Sequence, residues 1–252
     1  MSLFSYKGSI VVIITLVTLV AGFTSLRFIR RYQHFLDVGN AFTDGIFLGT
    51  AAFHIFPDSL QGIPIMLAIL ITFVGFFLLF IFERWIIYRE KKRQAIANDY
   101  IRTASGLLML VGILSVHAFI AGSALGVSDT ISNVSILLVA ILAHKGFESF
   151  SLIIGLHQSL KNEKQIKGIL WTFSFITPLG IILSALVQIF FQTPDLITSL
   201  FSAFSAGSFL YIGTLHVGHN HLHLPKSPMN IYEKILITLI GIAAMGIVAI
   251  LG

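Results

Sequence analysis

Two histidines and a glutamate stand in stretches that are otherwise almost entirely apolar: His117 in LSVHAFIAGSALG, and His144 and Glu148 in LAHKGFESFSL. His144 and Glu148 are four residues apart, which puts both on one face if the segment is helical. Imidazole nitrogen with carboxylate oxygen is a donor set for zinc, iron or manganese. His117 would supply a third ligand. His54 and Asp58 repeat the i, i+4 pairing in GTAAFHIFPDSL, and His216, His219, His221 and His223 crowd into LHVGHNHLHL. The chemistry these residues suggest is capture, coordination and release of a divalent cation.

The elements that must hold them are membrane helices. Only 11% of the 252 residues are charged and 56% are hydrophobic, against roughly 25% charged in an ordinary soluble domain. With a mean hydropathy of +0.92, lipid must solvate much of the surface. There is no cysteine, so disulfides and thiolate metal sites are excluded. Crossing the hydrocarbon core takes about 20 apolar residues. The sequence predicts eight spans: Ser9–Leu26, Val38–Phe56, Pro64–Tyr88, Thr103–Val127, Asn133–Leu156, Gly168–Phe191, Leu196–Val217 and Ile231–Leu251. The first is read as a retained helix rather than a cleaved signal, because Arg27, Arg30 and Arg31 follow a run long enough to span. The eight form one transmembrane domain over 1–252, with a basic loop at 89–102 and a histidine-containing loop at 218–230.

Basic residues orient the chain. Fourteen of the 16 Lys and Arg fall after span 1, or in the connections between spans 3 and 4, 5 and 6, and 7 and 8 and the span ends beside them (Arg84 and Lys234), while Ser128–Ser132 and Gln192–Asp195 carry none. The exceptions are Lys7 and Lys145. Eight spans then place the basic loops in the cytoplasm and both termini outside. A pI of 9.6 therefore reflects topology, and nucleic acid is not an expected partner.

Within this frame His117 lies ten residues from the outer end of span 4 and His144 eleven from that of span 5. At about 1.5 Å per residue both are roughly 15–17 Å deep, near the bilayer centre. Ionisable groups there are costly and usually functional. Gly122, Ala124 and Gly126 permit close helix approach, which is expected to narrow the gap between the ligands. Two plainer readings compete: a histidine as a hydrogen-bonding strut, and an ion pair in which Lys145 takes Glu148 at i, i+3. The metal reading is preferred because an ion pair leaves the histidines unexplained. Asp44, inside span 2, either lines the inner vestibule or pairs with a basic loop residue.

An internal repeat supports transport. Residues 41–54, AFTDGIFLGTAAFH, match 203–216, AFSAGSFLYIGTLH, at Ala, Phe, Gly, Phe, Leu and His, with Thr43 against Ser205. Span 2 runs outward and span 7 inward, so the repeat is inverted, an arrangement on which alternating access is often built. Spans 1–3 and 6–8 would be the halves, with 4 and 5 between them.

These residues resemble the Zrt/Irt-like (ZIP) family of divalent metal transporters. HKGFES looks like the family's His-Lys-x-x-Glu pattern on helix 5. GTAAFHIFPDSL and AGSFLYIGTLH look like its helix 2 and helix 7 segments. Helix 4 departs from the pattern: Ala118 stands where the family has Asn or Ser, and Ala121 where it has Glu or Asp. The resemblance thus implies one metal site rather than two, with His117, His144 and Glu148 as ligands. It also implies helices 1, 4, 5 and 6 moving against 2, 3, 7 and 8, and homodimers in many members.

The expected function is carriage of zinc, or of iron, manganese or cadmium, toward the cytoplasm. Metal would enter at His54 and Asp58 and leave past His216 and His219. The metal is cargo; no cofactor is required and no covalent step is expected. The expected setting is the bilayer of a cell membrane, taken to be a bacterial inner membrane. The alternatives are an intramembrane metal-dependent hydrolase, a haem protein using His117 and His144, and a non-transporting metal-binding relative.

Overall fold

The computed structural model describes residues 3–31, 36–94, 100–160, 162–190, 195–216 and 229–251. Every regular element among them is helical. Span 1 is α1 (Leu3–Arg31), and span 2 is α2 (Leu36–Thr50), a π-helical turn (Ala51–Ile55) and α3 (Phe56–Ser59). Spans 3, 4 and 5 are α4 (Ile65–Gln94), α5 (Tyr100–Val127) and α6 (Ile131–Ser159). Span 6 is α7 (Glu163–Ser174) with α8 (Ile176–Phe190); span 7 is α9 (Asp195–Tyr211) with a π turn (Ile212–His216); span 8 is α10 (Ile231–Leu251). Seven of the eight meet the length and hydropathy a bilayer crossing needs, and the interrupted span 2 is the eighth.

The outer faces explain the composition. Leu70, Phe73, Phe77 and Ile81 on α4, and Leu236, Leu239 and Ile240 on α10, are exposed large apolar side chains. Water would penalise such a surface and lipid does not. Lys7, one of the two lysines outside the basic loops, donates to the Gly126 carbonyl at 2.6 Å. It caps the C-terminal end of α5, where carbonyls lack helical partners. Residues 89–94 continue α4 and residues 100–102 open α5, so the basic segment 89–102 is largely helical where described.

Proline shapes the two broken spans. Pro57 has no N–H to give and its ring crowds the carbonyl four residues back. The ladder there loosens into the π turn that carries His54, and the chain stays helical to Ser59 instead of stopping near Phe56. Pro178 acts alike on Ser174, and span 6 breaks at Phe175 between α7 and α8.

The inverted repeat is present in the packing. The most extensive helix pairs are α2 with α10, α4 with α9, α5 with α8 and α1 with α6. Exchanging span 1 with 6, 2 with 7, 3 with 8 and 4 with 5 maps this set onto itself. Single atoms obey the same exchange. Thr238 donates to the Ala41 carbonyl and Thr72 to the Ala203 carbonyl, both at 3.1 Å. A β-carbon on Gly45 would strike the Thr238 carbonyl oxygen, and one on Gly207 the Thr72 carbonyl oxygen. The four pairs also sort into two groups, spans 1, 4, 5 and 6 and spans 2, 3, 7 and 8, with no major pair crossing between them.

Candidate metal site

The site lies where the two groups meet. His117 is on α5, and His144 and Glu148 are on α6; all three are buried, at 3%, 2% and 0% exposure. The His117 and His144 ring centres are 5.7 Å apart. His54 joins them from span 2, its ring 6.5 Å from that of His144. Phe209 of α9 packs against both central imidazoles, 3.8 Å from His117 and 5.8 Å from His144. His117 and His144 come from one group, and His54 and Phe209 from the other.

Hydrogen bonding is uneven. His117 Nδ1 lies 2.6 Å from the Ser205 hydroxyl, which orients that ring and leaves Nε2 without a partner. His117 Nε2, Glu148 Oε1 and Thr43 Oγ1 are buried without a hydrogen-bond partner, and the His144 ring, which approaches the Ala140 carbonyl, has no side-chain partner. An unmet buried polar atom costs about 1–3 kcal/mol, so such a set calls for a reason.

Lys145 holds the other oxygen of Glu148. Its ammonium donates to Glu148 Oε2 at 2.7 Å and to Thr177 Oγ1 at 2.9 Å, and lies 4.9 Å from the Phe173 ring centre. Both charges are almost fully enclosed. The break at Phe175 sets Thr177 beside this pair. The ion pair weighed against the metal reading is therefore formed, but it engages only one carboxylate oxygen and leaves both histidines aside. His54 in turn faces Asp58, Nδ1 to Oδ2 at 3.4 Å. No group of three or more His, Asp or Glu side chains among the described residues is arranged to hold an ion.

Other expected positions fall as follows. His54 stands beside His144 as well as beside Asp58. His216 closes the π turn of span 7. His219, His221 and His223, with most of loop 218–230, lie outside the described residues. Asp44 is buried within electrostatic reach of Lys234 on α10. Gly122 and Gly126 press on the backbone of α8, at Thr177 and Ile181, rather than drawing α5 toward α6. That is a correction: the small-residue face of span 4 packs on span 6, and the ligand gap is set elsewhere. Ser205, Phe209 and Thr177 were not singled out as site residues. The repeat points to two of them, pairing Thr43 with Ser205 and Phe47 with Phe209.

Comparison with known proteins agrees with this architecture. The sequence model of the ZIP zinc transporter family matches residues 88–249. The chain is 25% identical to Zinc transporter 11 of Arabidopsis thaliana over 287 aligned positions, covering 99% of this chain and 86% of that protein. It is 27% identical to Zinc transporter ZIP1 of Homo sapiens, over 85% of this chain and 77% of the relative. Zinc transporter ZIP1 of Takifugu rubripes is 30% identical over 145 residues, 57% of this chain. In that alignment the chain spans about half of the relative's length (47%). A matched segment running from the end of span 3 through span 8, on a helical membrane bundle with an inverted repeat, places the chain in the ZIP family.

Proposed function

We propose that this multi-pass membrane protein carries a divalent metal, zinc first, toward the cytoplasm through a midplane site of His117, His144 and Glu148. His54 guards its outer mouth. The observation that supports the reading is a set of buried donor atoms without side-chain hydrogen-bond partners on two neighbouring helices: His117 Nε2, the His144 imidazole with its ring centre 5.7 Å from that of His117, and Glu148 Oε1 one turn along from His144. Binding a cation would satisfy them, and imidazole with carboxylate suits zinc, iron and manganese. The relatives named as zinc transporters support zinc among these.

The site also lies between two helix groups, where a relative shift would open it first to one side and then to the other. Metal would meet His54 and Asp58, pass to the central ligands, and leave past His216 and His219. The inward direction rests on metal entering at His54 and Asp58, a side that the basic loops, facing the cytoplasm, assign as outer. The cargo is bound and released unchanged, so no catalytic group is assigned. A bacterial inner membrane and a homodimer belong to the same proposal.

The test is uptake of radioactive zinc into proteoliposomes or cells by the wild type and by His144→Ala combined with Glu148→Ala. Saturable uptake by the first and none by the second, at equal amounts of folded protein, is the expected result. Unchanged uptake by the double variant would remove the proposed site. Competition among zinc, iron, manganese and cadmium then ranks the cargo.

A further inference from the structure

The inverted repeat pairs more than backbone. Under the exchange that relates the packing, span 4 corresponds to span 5 and span 7 to span 2. His117 and His144 are counterparts, each the central imidazole of its helix, and Ser205 and Thr43 occupy equivalent offsets in the repeated segments. One of the two hydroxyl–imidazole contacts implied by that symmetry is made: Ser205 to His117 at 2.6 Å. The other is not. Thr43 is 3% exposed, yet its hydroxyl has no partner, and the His144 ring, which approaches the Ala140 carbonyl, has no side-chain partner.

The unmade pair is close to register. Phe42 and Phe147 pack with ring centres 5.3 Å apart, bringing the turn that carries Thr43 beside the turn that carries His144. Spans 2 and 5 run in opposite directions. Thr43 lies one residue outward of Phe42, and His144 three residues outward of Phe147. At about 1.5 Å per residue the two sit roughly 3 Å apart along the axis, less than one helical turn. Each contact joins one helix group to the other, so both report on the groups' relative position.

We propose that Thr43 is the positioning residue for His144, the counterpart of Ser205 for His117, and that the two hydroxyls hold their imidazoles in alternate transport states. In the state described, Ser205 holds His117 and His144 lies near His54 at the outer mouth. When the groups slide by about 3 Å, roughly half a turn, Thr43 takes His144 while Ser205 lets His117 go. Each swap leaves one imidazole oriented and the other free, so metal is gripped differently before and after the move. This rests on the alternating-access reading above.

The test is zinc-uptake kinetics with Thr43→Val, which keeps shape and removes the hydroxyl, Thr43→Ser, which restores it, and Ser205→Ala. Loss of a hydrogen bond to a metal-binding histidine typically costs 10–100-fold in affinity or activity. Ser205→Ala should raise the KM for external zinc about tenfold. Thr43→Val should lower the maximal rate severalfold with KM within twofold, and Thr43→Ser should recover the rate. Thr43→Val should also melt at or above the wild-type temperature, since a hydroxyl without a partner holds nothing together in this state. Wild-type kinetics in Thr43→Val, a lower melting temperature, failure to fold, a change in KM alone, or no recovery in Thr43→Ser would each overturn the proposal. If the wild type itself moves no zinc, the transport reading fails first; if it does and Thr43 is silent, only this inference fails.

Discussion

Lys145→Met separates the structural role of the Lys145–Glu148 pair from the role proposed for Glu148 in binding metal. The ammonium and carboxylate are 2.7 Å apart with side chains 2% and 1% exposed, so neither reaches water. Methionine fills a similar volume but strands the carboxylate, and breaking one side of a buried pair costs about 3–5 kcal/mol. The lost bond to Thr177 adds about 1 kcal/mol. At about 2–4 °C per kcal/mol for a chain of this size, melting in detergent with a chelator present should fall by roughly 10 °C or more. Removing both charges, in Lys145→Met with Glu148→Met, should return the midpoint to the wild-type value or above it, because a well-packed apolar replacement of a buried pair is neutral to stabilising by about 1–4 kcal/mol. Zinc then distinguishes the roles. With the lysine gone, a cation can use both oxygens of Glu148, so zinc should raise the midpoint more in Lys145→Met than in the wild type and least in the double variant. The reasoning fails if the single variant melts like the wild type, if the double variant is no better than the single, or if zinc shifts all three equally.

Three further outcomes follow from the packing and the site. Gly45→Ala and Gly207→Ala should each lose about 1–3 kcal/mol by overpacking, and by similar amounts, since each β-carbon meets the carbonyl oxygen of the corresponding threonine; unequal melting shifts would break the symmetry argument. Tyr211→Phe removes the phenol that donates to Glu83 across spans 7 and 3, and its melting midpoint should drop by an amount matching about 1.5–3 kcal/mol for a hydrogen bond to a charged group. Zinc at about 100 times its Kd should stabilise the wild type by about 2.7 kcal/mol; differential scanning calorimetry should find that shift abolished in His144→Ala.

Span count and the inverted repeat were readable from one sequence because each depends on local composition. A run of apolar residues long enough to span has few alternatives in lipid, and AFTDGIFLGTAAFH against AFSAGSFLYIGTLH aligns residue by residue. His117, His144 and Glu148 stood out for a similar reason: a polar group at membrane depth is expensive wherever the helix turns. Three things required the tertiary structure. Which helix the glycines of span 4 press against depends on how spans are arranged around one another, and the chosen neighbour is span 6. The bends at Pro57 and Pro178 bring His54 to the centre and Thr177 to Lys145, because a proline's effect on direction depends on what packs around it. The division of partners, with Ser205 on His117, Lys145 on Glu148, and Thr43 and His144 left unmatched, is a matter of distances between residues far apart in the chain. Spacing along a helix determines which residues share a face, while the relative position of two helix groups decides which of those faces meet.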